Sequence, residues 1–158
     1  MSPSPVGIFR AEVLESGHLV RLSGIIDEKA DLSFFSGFHG HVRLDVKGVR
    51  RINSYGVRAW NEAIRTVPAD ATFEFLECAP PIVDQLNSIT GFQGRGRVAS
   101  FYAPMACEKC GTSADHLFQV SDCRAASGHL PKVACPRCQE ALELDDIEER
   151  YLHFIRQA

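Results

Sequence analysis

Two cysteine pairs constrain this chain more than any other feature of its sequence. Residues 107–111 read CEKCG and residues 135–138 read CPRC. In each CxxC segment a tight turn can direct two thiolates at one ion, and two such segments complete a closed tetrahedral site with sulphur–zinc distances of about 2.3 Å. The sequence therefore predicts a structural zinc site formed by Cys107, Cys110, Cys135 and Cys138.

The segment around these cysteines is too short to fold without help. About 50 residues cannot bury enough apolar surface to stand alone, so the metal is predicted to replace a hydrophobic core. The segments HLFQV and HLPKVAC, between the two pairs, are strand candidates for a hairpin. This arrangement resembles a zinc ribbon, in which a glycine such as Gly111 typically follows each pair, whereas Gln139 follows the second pair here.

A redox-active CxxC of the thioredoxin type is the competing interpretation. It requires one pair at the start of a helix, whereas this chain has two pairs that flank a predicted hairpin. Cys123, His116 and His129 are alternative ligands, but four paired thiolates already suffice. Cys78, at the end of a predicted strand, is expected to be a small buried residue.

Composition indicates a globular protein with one principal domain and one accessory module. The chain has 158 residues, 45% of them hydrophobic, and no apolar run approaches the ~20 residues of a membrane-spanning helix. The N-terminus lacks the basic start and apolar stretch of a secretory signal, so a cytoplasmic location is expected. Residues 1–105 carry 11 basic and 11 acidic side chains, and residues 106–158 carry 6 and 9. This acidic excess, next to four thiolates, argues against binding to nucleic acid.

Hydrophobic periodicity predicts a mixed α/β sheet. An antiparallel hairpin comes first, and alternating strands and helices then favour parallel strands with the helices packed on the sheet. In order, we expect a hairpin at 11–24, a short helix at 31–38, strands at 41–49, 71–78 and 97–103, and helices at 54–67 and 80–89. The glycine-rich segment GFQGRGR has no Lys-Ser/Thr pair and no helix after it, so we expect a loop there and not a phosphate site.

A change of composition at Pro104 predicts two domains, residues 1–104 and residues 105–158. A C-terminal helix is expected to follow Asp145. The spacing of Asp145 and Glu148 is typical of a capping box at the start of a helix. The helix would carry Ile147, Tyr151 and Phe154 on one face. That face is predicted to pack on the ribbon or the main sheet, with docking to a partner protein as the alternative.

Three segments of the first domain resemble the STAS family, the sulphate transporter and anti-sigma factor antagonist domain. They are RLSGIIDEKA at the entry to the first helix, LDVKGV in the third strand, and INSYGV in the turn before the helix at 54–67. The resemblance covers residues 9–103. It implies a regulatory protein whose partner is a serine kinase or an anti-sigma factor, with Ser54 as the phosphorylated residue. The family commonly has aspartate where this chain has Asn53, and a small residue where it has Tyr55.

Helix capping gives a competing account of the same turn. A Ser or Asn before an amphipathic helix accepts hydrogen bonds from free N–H groups, and either Asn53 or Ser54 could do so. The two roles of Ser54 are compatible, because a phosphate at a helix N-terminus is favoured by those N–H groups. Gly56 is expected to let the helix approach the sheet closely.

These patterns predict a non-catalytic binding module and not an enzyme, since the sequence contains no catalytic triad, carboxylate pair or catalytic zinc signature. The first hypothesis is regulated binding of a protein partner, and neither nucleic acid nor a membrane span is expected. The predicted contact residues are Arg51, Asn53, Ser54, Tyr55 and Arg58. The alternative is a scaffold protein whose zinc module and C-terminal helix make lasting contacts.

Overall fold

The main sheet has the mixed topology that the sequence predicts. In the computed structural model, which describes residues 7–156, it contains five strands in the order β1-β2-β3-β4-β5. β1 and β2 form the antiparallel hairpin, and β2 to β5 are parallel. The strands are β1 (Arg10–Leu14), β2 (Leu19–Ile26), β3 (His41–Ile52), β4 (Thr72–Leu76) and β5 (Arg97–Val98).

Two helices cross between the parallel strands, α1 (Ser54–Ile64) and α2 (Pro80–Ser88). The predicted short helix at 31–38 is a single 3-10 turn, Ser33–Gly37, whose Phe35 is fully buried. Trp60 of α1 stacks on Phe92 at 4.7 Å between ring centroids and donates its Nε1 hydrogen to the carbonyl of Phe92. The segment GFQGRGR, which contains Phe92, is therefore a packed loop, as predicted.

The predicted strand at 97–103 is wrong in one respect, because the chain changes sheets within it. Val98 still belongs to β5, and Ala99 donates its N–H to the carbonyl of Phe75 in the main sheet. The next residue begins a second, antiparallel sheet of order β7-β6-β8. Its strands are β6 (Ser100–Ala106), β7 (Ser113–Gln119) and β8 (Glu143–Leu144). Pro104, at the predicted domain boundary, lies within β6.

The predicted hairpin between the cysteine pairs is replaced by a different arrangement. HLFQV lies largely in β7, but β7 pairs with β6, and the chain then forms the short helix α3 (Val120–Ala125). HLPKVAC contributes only an isolated bridge between Ala134 and Ala141. β6 is largely buried, with Phe101, Ala103 and Met105 in the core, so β7 packs beside a buried strand by pairing with it.

The predicted C-terminal helix is split in two, α4 (Glu148–Tyr151) and α5 (His153–Arg156). Asn87 of α2 explains the break, because its side chain donates to the carbonyl of Tyr151 and accepts from the N–H of Phe154, both at 2.8 Å. Tyr151 and Phe154 are buried as predicted, whereas Ile147 is 63% exposed. The predicted capping box is also absent, since no side chain caps α4.

The buried residues of both sheets and of the C-terminal helices form one continuous core. Phe101 of β6 contacts Phe154, with ring centroids 5.3 Å apart, and both belong to the same cluster as Trp60 and Phe75. Among residues 7–156, no helix combines the length and the apolar character needed to cross a membrane.

Candidate functional site

Asn53, and not Ser54, caps helix α1. The Oδ1 atom of Asn53 accepts a hydrogen bond of 2.8 Å from the N–H of Gly56, and Asn53 has the extended backbone of an N-cap residue. Ser54 is the first residue of α1, and its side chain is exposed. Since the cap is already supplied, the Ser54 hydroxyl has no capping role.

Gly56 fixes this turn against the end of β2. A Cβ atom at Gly56 would lie only 2.1 Å from the carbonyl oxygen of Ile26, so only glycine fits without movement. The same carbonyl accepts a hydrogen bond of 3.1 Å from the N–H of Asn53. The first turn of α1 is therefore held rigidly at the edge where β2 and β3 end, as the sequence predicted for Gly56.

The five predicted partner-binding residues are all exposed at or near this turn. Tyr55 is 65% exposed, and Arg51, Asn53, Ser54 and Arg58 are also exposed. Arg58 follows Ser54 by four residues and thus lies on the same face of the helix. Within residues 7–156, neither arginine forms an ion pair. Both positive charges are therefore available to an anionic group.

The four predicted cysteine ligands meet at one point. All four Sγ atoms lie within 4.8 Å of one another. Across the two segments, Cys107 Sγ lies 3.4 Å from Cys138 Sγ and Cys110 Sγ lies 3.6 Å from Cys135 Sγ. Sulphur–metal bonds of about 2.3 Å in a tetrahedron require sulphur–sulphur distances of roughly 3.8 Å, so the four cysteines could hold a metal ion.

Each CxxC segment has the same backbone turn. The N–H of Gly111 donates to the carbonyl of Cys107, and the N–H of Gln139 donates to the carbonyl of Cys135, both at 2.9 Å. Gly111 has φ +75° and Gln139 has φ +67°. Gln139 thus adopts the left-handed conformation that favours glycine, at the position where the sequence departs from the typical ribbon.

The surroundings of the sulphur atoms include two features that sequence reasoning missed. The hydroxyl of Thr112 lies 3.0 Å from Cys110 Sγ, and hydrogen bonds from Thr112 lower the pKa of this thiol to about 6. Lys109 pairs with Glu140 at 3.2 Å and joins the two turns. The Thr112 contact could have been anticipated from the sequence, because Thr112 follows Cys110 by two residues. The Lys109–Glu140 pair could not, because it depends on how the two turns meet.

The remaining cysteines and histidines lie outside this cluster. Cys78 and Cys123 are fully buried, and burial raises the pKa of both thiols. His129 Nδ1 contacts Glu148 Oε1 at 2.8 Å, and the ring of His116 lies 4.8 Å from that of Phe118 in a tilted arrangement. The choice of four paired thiolates over these alternatives agrees with the geometry.

Comparisons with known proteins add no identification. No family model, no curated protein and no solved structure matches this chain.

Proposed function

We propose that this chain is a non-catalytic regulatory module, similar to a STAS domain, that binds a protein partner through the turn around Ser54. The carrying observation is that Asn53 caps α1, which leaves the Ser54 hydroxyl exposed at the helix N-terminus. A kinase can reach such a hydroxyl without unfolding the turn. The partner is a serine kinase or an anti-sigma factor.

Phosphorylation of Ser54 is the proposed control of partner binding. Phosphate adds about two negative charges, and helix N-termini favour negative charge through their free N–H groups. Arg58, one helical turn further on, and Arg51 supply positive charge to the same surface. The phosphate would therefore be stabilised electrostatically at this helix end, and it would change the charge of the surface that the partner contacts.

The test uses protein isolated from its native cell and a pull-down with the partner. Mass spectrometry is expected to find phosphate on Ser54. Ser54→Asp is expected to weaken partner recovery at least tenfold, whereas Ser54→Ala keeps it. Ser121→Asp is the matched control, since Ser121 is also exposed in the first turn of a helix, α3. Equal recovery with Ser54→Asp and Ser121→Asp would rule out the switch.

Zinc is the proposed occupant of the four-cysteine site. Four thiolates form a soft, closed set of donors that is typical of structural zinc and leaves no open position for catalysis. Metal analysis of freshly purified protein is expected to give about one zinc per chain, and Cys135→Ser to lose it. Cys123→Ala is the control and should retain the metal. Substantially less than one equivalent, or iron in place of zinc, would contradict the assignment.

The scaffold hypothesis has less support, because the C-terminal helices do not offer an apolar face. Tyr151, Leu152, Phe154 and Ile155 are buried in the core of this chain. Of the residues predicted for a docking face, Ile147 alone is exposed. We therefore favour regulated binding through the Ser54 turn.

A further inference from the structure

A groove lies beside the second half of β3, where this strand has a neighbour on one side only. β3 pairs with β2 as far as Ile52, but its pairing with β4 ends at Asp45. Within residues 7–156, no strand pairs with residues 46–52 on the β4 side. At about 3.3 Å per residue, this free edge is roughly 20 Å long, which is the length of an ordinary strand.

Glu77 opens the groove by turning the chain away from β3. It follows β4 directly and has φ +52°, a strained conformation for a residue other than glycine. Two hydrogen bonds hold it there: its N–H donates to Ser100 Oγ at 2.8 Å, and its carboxylate accepts from Tyr102 Oη at 3.0 Å. Because β4 leaves the sheet at this point, the position of a neighbouring strand stays empty. Backbone strain of this kind clusters at functional sites.

The walls of the groove suit an extended chain. Its volume is about 550 Å³, which lies within the usual range for ligand sites. Pro80 and Pro81 at the start of α2 face β3, and Pro104 and Tyr102 of β6 complete the wall. Proline has no backbone N–H, so the three prolines cannot donate backbone hydrogen bonds to the carbonyls of β3. A peptide strand could donate them instead.

The positive charge on the β3 side of the groove favours an acidic peptide. Lys47 and Arg50 line the β3 side and are both exposed, and neither forms an ion pair within the part of the chain that the structure describes. Lys47 Nζ lies over the ring of Tyr102, 5.8 Å from its centroid, and the carboxylate of Glu77, which accepts from Tyr102 Oη, offsets part of the charge of Lys47. Arg50 is therefore the less compensated of the two cations. Asp115 lies on the second sheet, where its negative charge disfavours an acidic side chain. An acidic residue is thus favoured next to β3.

We propose that this groove binds an extended acidic segment of a partner protein, which adds to the free edge of β3 as a strand. Backbone hydrogen bonds would supply much of the affinity, and the pairing of an acidic side chain with Lys47 and Arg50 would supply selectivity. The inference is independent of the Ser54 switch, because Ser54 does not line the groove. It names a second contact surface and the class of partner that fits it.

The probe is a display library of random linear heptapeptides, selected on the full-length metal-bound protein. Enriched peptides are expected to alternate apolar and acidic residues. Their affinity, measured by fluorescence polarisation, should fall about tenfold or more in the double variant Lys47→Glu/Arg50→Glu. Arg65→Glu is the matched control, since Arg65 is exposed at the opposite end of α1 from Ser54, and it should bind as the wild type does. Urea unfolding confirms that both variants are folded.

Two further measurements identify strand addition. Single N-methylation along the peptide should weaken binding at every second position, because alternate N–H groups of a strand face its neighbour. Amide NMR signals of residues 46–52 should shift on binding. The proposal is overturned if no peptide binds the wild type better than the double variant, if N-methylation is tolerated throughout, or if the shifts lie elsewhere. Association of two copies through β3, seen by light scattering, would also replace it.

Discussion

Replacing Gly56 with alanine is expected to destabilise the protein, although this change stabilises most helices. In an ordinary helix interior, alanine is more favourable than glycine by about 1 kcal/mol. Here, the new Cβ would lie 2.1 Å from the carbonyl oxygen of Ile26, and real Cβ atoms essentially never approach closer than 3.0 Å. The first turn of α1 must therefore move away from β2 by at least 0.9 Å, the difference between these two distances.

The cost of this movement can be estimated from the contacts that it disturbs. Overpacking against a fixed backbone costs about 1–3 kcal/mol, and the hydrogen bond from Asn53 N–H to the Ile26 carbonyl contributes about 1 kcal/mol. The gain of about 1 kcal/mol in helix propensity offsets part of this. The expected net loss is about 1–3 kcal/mol in the free energy of unfolding. A domain of ordinary stability, about 5–15 kcal/mol, remains folded after such a loss.

The assay is equilibrium urea unfolding of the full-length protein as purified, analysed by linear extrapolation. The midpoint should fall while the slope stays unchanged, which indicates a change of stability and not of the unfolded state. Gly37→Ala is the matched control, because a Cβ there meets no atom within 4 Å, and it should change the free energy by less than about 0.5 kcal/mol. An unchanged or higher midpoint for Gly56→Ala would refute the close approach of α1 to β2.

Three further predictions concern the cap, the metal turn and the buried thiols. Asn53→Ala should cost about 1 kcal/mol in urea unfolding, and Ser54→Ala less than about 0.5 kcal/mol; equal losses would contradict the assignment of the cap. If the proposed metal site is correct, Gln139→Gly should strengthen metal binding by up to about 1 kcal/mol in chelator competition, because it relieves a left-handed conformation; weaker binding would count against that strain. Burial raises the pKa of Cys123 to about 11 and also raises the pKa of Cys78, so at pH 8 iodoacetamide should modify these thiols only in denaturant, as read by mass spectrometry. Rapid modification of either in the native protein would show that it is accessible.

The elements of the main sheet could be predicted because their signals are local. In β3, Val42, Leu44 and Val46 alternate with more exposed residues, and all three are fully buried. Trp60 and Ile64 lie one helical turn apart in α1 and both face the core. Such periodicities depend only on neighbouring residues, and the order of strands and helices then favours the parallel topology.

The departures from prediction come from contacts between distant parts of the chain. Residues 97–103 have one continuous strand pattern, and nothing in it marks the change of sheet at Ala99. The break between α4 and α5 depends on Asn87, whose side chain bonds the backbone of residues 64 and 67 positions away. Neither feature leaves a trace in the local sequence.

The candidate sites differ in the same way. The four-cysteine cluster was predictable because two CxxC segments specify a common set of thiols through spacing alone. The cap was left open between Asn53 and Ser54, because sequence patterns do not resolve a helix start to one residue. The groove beside β3 depends on the positive φ of Glu77, and a glutamate at the end of a strand gives no warning of it.

Strand β6 connects the four-cysteine cluster to the common core and to the groove. Its first half contributes Phe101 and Ala103 to the common core, and Tyr102 and Pro104 to the groove. Its last residue, Ala106, pairs with β7 and β8 directly before Cys107. A metal bound by the four cysteines would therefore fix the end of the strand that forms one wall of the groove. If a metal binds there as proposed, its removal should therefore loosen β6 and weaken the groove, although the groove contains no metal ligand.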